Sequence, residues 1–134
     1  MREPRWLKLR SLLLLHSESL AEHGGMTGLR DRALLESAIA RPQQIYAYEQ
    51  DADLARLAAA YCFGLIRNHP FNDGNKRVGF LAVGLFLGIN GRELVVDQVE
   101  AVQTILKVAA GEMREPALIV WIRKHTRKLK ASSR

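Results

Sequence analysis

Only one of the 134 residues is a cysteine, Cys62. No disulfide can form within the chain, and the composition fits a reducing cytosol, so the expected location is cytoplasmic. Cys62 falls on an apolar helical face and reads as a buried structural thiol rather than a nucleophile. No apolar stretch reaches the roughly 20 residues a membrane helix needs. Leu12–Leu15, which follows Arg2, Arg5, Lys8 and Arg10, is shorter than a signal-peptide core of about 7–15 residues. There is no Gly-x-x-x-x-Gly-Lys-Ser/Thr loop, so a nucleotide site of the P-loop type is excluded. No Cys/His cluster has zinc spacing, and no internal repeat occurs. Acidic residues are missing from 123–134, where Arg123, Lys124, Arg127, Lys128, Lys130 and Arg134 lie. The rest of the chain holds 14 basic and 14 acidic residues, so the net charge of +6 resides in this tail. The expectation is a solvated, frayed C-terminal end, with nonspecific polyanion contact as the alternative and no specific nucleic-acid binding.

What is present suits one folded domain. A hydrophobic fraction of 48% over 134 residues is enough to bury a real core. Apolar periodicity predicts about six helices. The first covers about 9–22, with Leu9, Leu12, Leu13, His16 and Leu20 on one face, stopped by Gly24-Gly25. His16 reads as a packed or capping residue. Asp31 caps a second helix over 32–40, which Arg41-Pro42 should end. A third spans about 53–68. A fourth, beginning near Asn75 and running to about 87–90, is apolar on nearly all sides and should be the central buried helix. Asp97 and Glu100 suggest a capping box for a fifth helix ending at Gly111, with Val99, Val102, Leu106 and Ala109 facing inward. Pro116 opens a sixth, to about Lys128. Arg5-Trp6-Leu7 pairing with Leu94-Val95-Val96 is the one strand pair to expect. The fold class is thus all-α.

Between the third and fourth helices lies the densest polar stretch, His69-Pro70-Phe71-Asn72-Asp73-Gly74-Asn75-Lys76-Arg77. Gly74 permits backbone angles closed to other residues. The amides from Gly74 to Arg77 then fall where a helix begins, and a helix N-terminus binds phosphate through free N–H groups and its dipole. Lys76 and the Arg77 fork add positive charge. Asp73 is a hard oxygen ligand suited to Mg²⁺ riding on a nucleotide. His69 carries an imidazole, which can accept a proton from an attacking hydroxyl. Asn75 either holds a phosphate oxygen or fixes the loop, and Phe71 points to the core. The set makes a phosphoryl or nucleotidyl transfer site. Ordinary turn chemistry, with an N-cap after a His-Pro pair, is the competing reading.

The nine residues resemble the signature of the Fic/Doc family, His-Pro-Phe-x-Asp/Glu-Gly-Asn-Gly-Arg in its Fic branch. Lys76 stands in place of the second Gly, which is similar to the Doc branch of toxin–antitoxin toxins. Gly28-Leu29-Arg30-Asp31, Leu34-Leu35-Glu36-Ser37-Ala38 and Ala40-Arg41-Pro42-Gln43 add to the likeness, which runs from about Trp6 to Trp121. The resemblance implies the compact Fic fold, with a flap from Gln43 to Gln50 beside the active site that docks the target. It implies ATP and Mg²⁺, with transfer of the γ-phosphate to a hydroxyl of elongation factor Tu and arrest of translation. His69 would be the general base, and Asp73 would hold Mg²⁺ or orient the His. Gly74, Asn75, Lys76 and Arg77 would hold phosphates. Gly74 departs from the Doc branch's type toxin, which has Ala, and follows the Fic pattern, so AMP transfer stays open beside kinase chemistry. A catalytically silent binding module is the remaining alternative. None of the nine glutamates is followed by Gly or Asn, so the inhibitory Glu-Gly/Asn pattern of many Fic proteins is missing. Restraint is therefore expected in trans, from a Phd-like antitoxin whose disordered tail folds into a groove.

Overall fold

A computed structural model describes residues 2–130. Six helices follow one another: α1 (Leu9–His23), α2 (Arg32–Tyr48), α3 (Leu54–Asn68), α4 (Asn75–Ile89), α5 (Gln98–Ala110) and α6 (Glu115–His125). Two short strands, β1 (Arg92–Leu94) and β2 (Thr126–Lys128), pair antiparallel. The all-α expectation, six helices with one minor strand pair, is met.

The most deeply buried helix is α3 rather than the expected α4, with ten of its fifteen residues buried against seven in α4. The reason is residue size. Ala58, Ala59, Ala60 and Gly64 leave room for neighbours on every side of α3. Gly64 lies 3.4 Å from the Ala38 side chain of α2 at the position a Cβ would take. Gly79 of α4 sits more tightly still, 3.1 Å from Ile66 and 3.3 Å from the Cys62 carbonyl at the same position. α4 therefore buries Val78, Ala82, Val83, Phe86 and Leu87 towards α3, while Phe80 and Leu81 stay half-exposed. Cys62 is wholly buried and its thiol is pushed up to about 12 by that burial, so it is inert.

Four local expectations are corrected. Helix α2 does not end at Arg41-Pro42 but continues to Tyr48 with Pro42 inside it. The angular bias before proline is overridden because Pro42 is buried and Arg41 is clamped by two contacts to Glu115 of α6, at 2.8 and 2.6 Å. Glu115 also accepts from Arg56, which holds Glu49, so four charges tie the ends of α2, α3 and α6. The segment expected as a flap is thus mostly the last turns of a helix. Second, Arg5-Trp6-Leu7 pairs with no strand. Its Arg5 backbone is bonded at both ends by the Asn90 amide, and Leu7 N–H donates to the Tyr61 hydroxyl.

Third, the ribbon partner of β1 comes from the tail. α6 stops at His125, and Thr126–Lys128 is paired strand rather than frayed end. Arg123 and Arg127 are bonded to Asp53 and Glu93. Residues 131–134 of that tail lie outside the described residues. Fourth, α5 is turned about one residue from the expected face. Ala101, Thr104, Ile105 and Val108 are buried, whereas Val99, Val102 and Leu106 are 63%, 55% and 52% exposed. Both stripes are apolar, and periodicity alone cannot choose between them. The Asp97 half of the capping box forms, to Val99 and Glu100 N–H, but the Glu100 carboxylate goes to the Trp121 indole instead.

Candidate active site

The polar loop joins the C-terminus of α3 to the N-terminus of α4, the two most buried helices, so both its ends are rigid. His69 caps α3 in a left-handed conformation (φ 51°), the one described residue other than glycine with positive φ. That backbone is uncommon for a side-chain-bearing residue and has to be held. Arg30 holds it: its Nε donates to the His69 carbonyl at 2.6 Å and its Nη2 to the Asn68 carbonyl at 2.8 Å. A cation there also complements the negative end of the α3 dipole. Among the described residues the His69 imidazole has no hydrogen bond, and the residue is exposed, as a proton acceptor for an incoming group must be.

The segment 25–31 is zipped along the loop. Arg30 and Asp31 N–H both donate to the Pro70 carbonyl, Leu29 bridges Phe71, Asn72 N–H donates to the Gly28 carbonyl, and the Asn72 amide donates to the Thr27 carbonyl. Met26 N–H reaches the Asp73 carboxylate at 3.1 Å. Gly25 is required by this approach, since a Cβ there would lie 2.8 Å from Asp73 Oδ2. From below, His16 of α1 stacks flat on Phe71 with centroids 3.8 Å apart and donates from Nε2 to the Asp73 carbonyl at 2.8 Å. Phe71 is 1% exposed, so its place in the core is as expected. His16 is the packed residue the sequence suggests, with the added task of seating the loop.

Of the two roles open to Asn75, its side chain serves the loop. It is buried, accepts from Phe71 N–H and donates to the Phe71 carbonyl, both at 2.9 Å. Only its backbone N–H faces the helix end. Gly74, the N-cap of α4, is left-handed (φ 81°) and offers no side-chain cap. The first α4 hydrogen bond is Val78 N–H to Gly74 carbonyl, so among the described residues the N–H groups of Asn75, Lys76 and Arg77 have no protein acceptor. Three free donors at a positive dipole end, with Lys76 and Arg77 exposed beside them, make an anion cradle.

Asp73 completes the rim. Hydrogen bonds from Met26 and Gly74 N–H hold its carboxyl below the usual carboxylate range, so it is ionised at neutral pH. It makes no bond to His69. Each oxygen accepts one N–H, which leaves lone pairs for a cation carried by a nucleotide. No group of three or more His, Cys, Asp or Glu able to hold a metal ion by itself occurs among the described residues.

His69, Asp73, Gly74, Asn75, Lys76 and Arg77 line one cleft of about 400 Å³, whose far wall is Ala109 of α5. The structure thus brings together every residue the sequence nominated apart from Phe71, which lies beneath. Arg30, Gly25 and Ala109 were missed as parts of the site. The glycines at 24, 25 and 28 were the available signal, but Gly24-Gly25 reads only as a helix stop and Gly28-Leu29-Arg30-Asp31 only as part of the family likeness. A neighbouring groove of about 480 Å³ shares Lys76 and Arg77 and continues over Phe80, Leu81, Val102 and Leu106. No described helix is long and apolar enough to cross a membrane.

With this geometry in view, similarity to known proteins becomes specific. The chain is 35% identical over 109 residues to the protein kinase Doc of Escherichia phage P1, covering 81% of this chain and 86% of that protein. It is 44% identical over 75 residues to the toxin Doc of Mycolicibacterium smegmatis, covering 55% of this chain and 58% of that protein. A sequence model of the Fic/DOC family matches residues 6–87, which include α1 to α3, the whole loop between α3 and α4, and α4 as far as Leu87. The chain belongs to the Fic/DOC family.

Proposed function

We propose that this protein is the toxin of a toxin–antitoxin module and moves the γ-phosphate of ATP to a hydroxyl side chain of a translation factor resembling elongation factor Tu. The observation that carries this is the pairing, in one cleft, of an exposed imidazole with an uncapped helix N-terminus flanked by Lys76 and Arg77. The names of the relatives, a protein kinase and a toxin, support the same reading.

His69 takes the proton of the target hydroxyl as that oxygen bonds to the γ-phosphorus. The bond from the γ-phosphorus to the bridging oxygen breaks, and ADP leaves with the electron pair. The N–H groups of Asn75, Lys76 and Arg77, with the two cations, hold phosphate oxygens where charge develops. Asp73 would hold Mg²⁺, which supplies charge neutralisation between the phosphates. The loop is fixed before substrate arrives, so little reorganisation is needed.

AMP transfer is the second reading, favoured by Gly74, which keeps the Fic-type left-handed turn. Incubation with target, Mg²⁺ and either γ- or α-labelled ATP separates the two. Label from the γ position alone establishes kinase chemistry, label from the α position alone AMP transfer, and none from either a silent module. His69→Ala should slow label transfer about 10²–10⁴-fold. Full retained transfer would overturn the role of His69.

A partner follows from the groove. Val102 and Leu106 are exposed on α5 beside half-buried Phe80 and Leu81, an apolar strip that runs to Lys76 and Arg77. An antitoxin resembling Phd would seat the apolar face of a folding tail there. Val102→Asp with Leu106→Asp should leave label transfer intact and remove inhibition by the antitoxin. Unaltered inhibition would exclude the groove as the seat.

A further inference from the structure

Three of the six cations of the basic tail, Arg123, Arg127 and Lys128, line a second cleft. It has a volume of about 310 Å³ and is lined by Arg92, Arg123, Arg127 and Lys128, with Leu54 and Ala55 as apolar wall. The single acid on its wall is Asp53. That carboxylate is already used, by Arg123 at 2.7 Å and by the N–H of Arg56. Burial raises its pKa, but the Arg123 and Arg56 bonds outweigh this and leave it below the usual range, so it remains the charged partner of Arg123.

The register of the ribbon is the telling feature. Glu93 lies opposite Arg127, a complementary rung with a direct ion pair. The next rung sets Arg92 opposite Lys128. Like charges directly opposite are unfavourable in an antiparallel pair. Among the described residues neither has a carboxylate within ion-pair distance. One rung obeys cross-strand charge matching and its neighbour breaks it where both face a concave, cation-lined space. An anion between them removes that conflict. The unpaired Arg92 fork suits phosphate oxygens in particular.

The cleft is separate from the loop site. Leu54, on its wall, begins α3, and His69 follows the last residue of the same helix. Fifteen residues at about 1.5 Å each put roughly 22 Å between them. We propose that this cleft is a second anion site that takes a phosphate group, supplied by a nucleotide or by a nucleic-acid backbone. The proposal stands independently of the chemistry at His69.

The test is a titration of the ¹⁵N-labelled full chain with inorganic phosphate and, separately, with a short single-stranded RNA, at two salt concentrations. Amide signals of Leu54, Arg92 and Thr126 should move. The double variant Arg92→Ala/Lys128→Ala should weaken RNA binding about tenfold and lower the log–log salt slope by about 1.4, about 0.7 for each cation lost on a single strand. Lys128→Glu should abolish binding while the melting temperature holds or rises, because it creates a second matched rung. That variant separates loss of a site from loss of fold. Phosphate moving the signals by itself identifies a small ligand, and RNA alone doing so identifies a nucleic-acid backbone. Silence of these signals with both probes, or an affinity and salt slope unaffected by the variants, would show that the cations only guard a strand edge.

Discussion

At the scale of the residue, the loop owes its shape to side chains that never touch substrate. Arg30 is the clearest case. Without it the Asn68 and His69 carbonyls lose their donor and the left-handed backbone of His69 loses its brace. Arg30→Ala should slow label transfer by at least about tenfold and change melting far less, with partial rescue by Arg30→Lys. A fall in melting temperature as large as that of a core deletion would contradict a positioning role. Phe71→Ala removes a side chain stacked on His16 and should lower stability by about 3–5 kcal/mol in urea unfolding. The chemistry of this stretch was legible in the sequence because it sits in nine consecutive residues. The fate of Asn75 was not. Whether an amide faces a ligand or its own backbone depends on the path of the loop, which residues 25–31 determine from far along the chain.

At the scale of the element, long periodic segments were readable and their ends less so. Helix α3 follows from its apolar pattern alone, although Asp53, taken as its first residue, proves to be its cap. The last turns of α2 do not, because they rest on the charge cluster of Arg41, Glu49, Arg56 and Glu115, whose members are distant in sequence. Only 13% of the Glu115 side chain is exposed. Glu115→Gln leaves two guanidinium groups underpartnered and should cost on the order of 2 kcal/mol, less than a fully buried pair because Arg41 still reaches water. Chemical denaturation checks the cost, and amide exchange in residues 43–48 should rise with it. The face of α5 was misjudged for a different reason. It carries two apolar stripes, one for the core and one for the groove, and sequence does not say which neighbour takes which.

At the scale of the whole molecule, acid should weaken the fold at the Asp53–Arg123 tie that joins α3 to α6. The folded carboxyl of Asp53 lies below its ordinary value of 3.8. A depressed folded value means that its contribution is complete above the unfolded pKa of about 3.9 and fades as pH falls through the folded one. Asp53→Ala should therefore be less stable than the parent near neutrality, by about 1 kcal/mol for the lost cap, and the two should converge as pH falls through the depressed folded value. A difference that persists undiminished in acid would show that the side chain acts by packing rather than by charge.

Lys76 and Arg77 line both the cleft and the groove beside it. On the function proposed above, one pair of side chains would answer to two selective pressures, grip on the nucleotide and recognition by the inhibitor. Toxin variants that escape their antitoxin would then not easily arise at these positions without losing toxicity. In a genetic selection for escape, substitutions should gather at Val102 and Leu106 and spare 76 and 77. Compensating changes in the antitoxin should follow the apolar strip. On that reading the shared wall would make the poison and its antidote evolve around a fixed point.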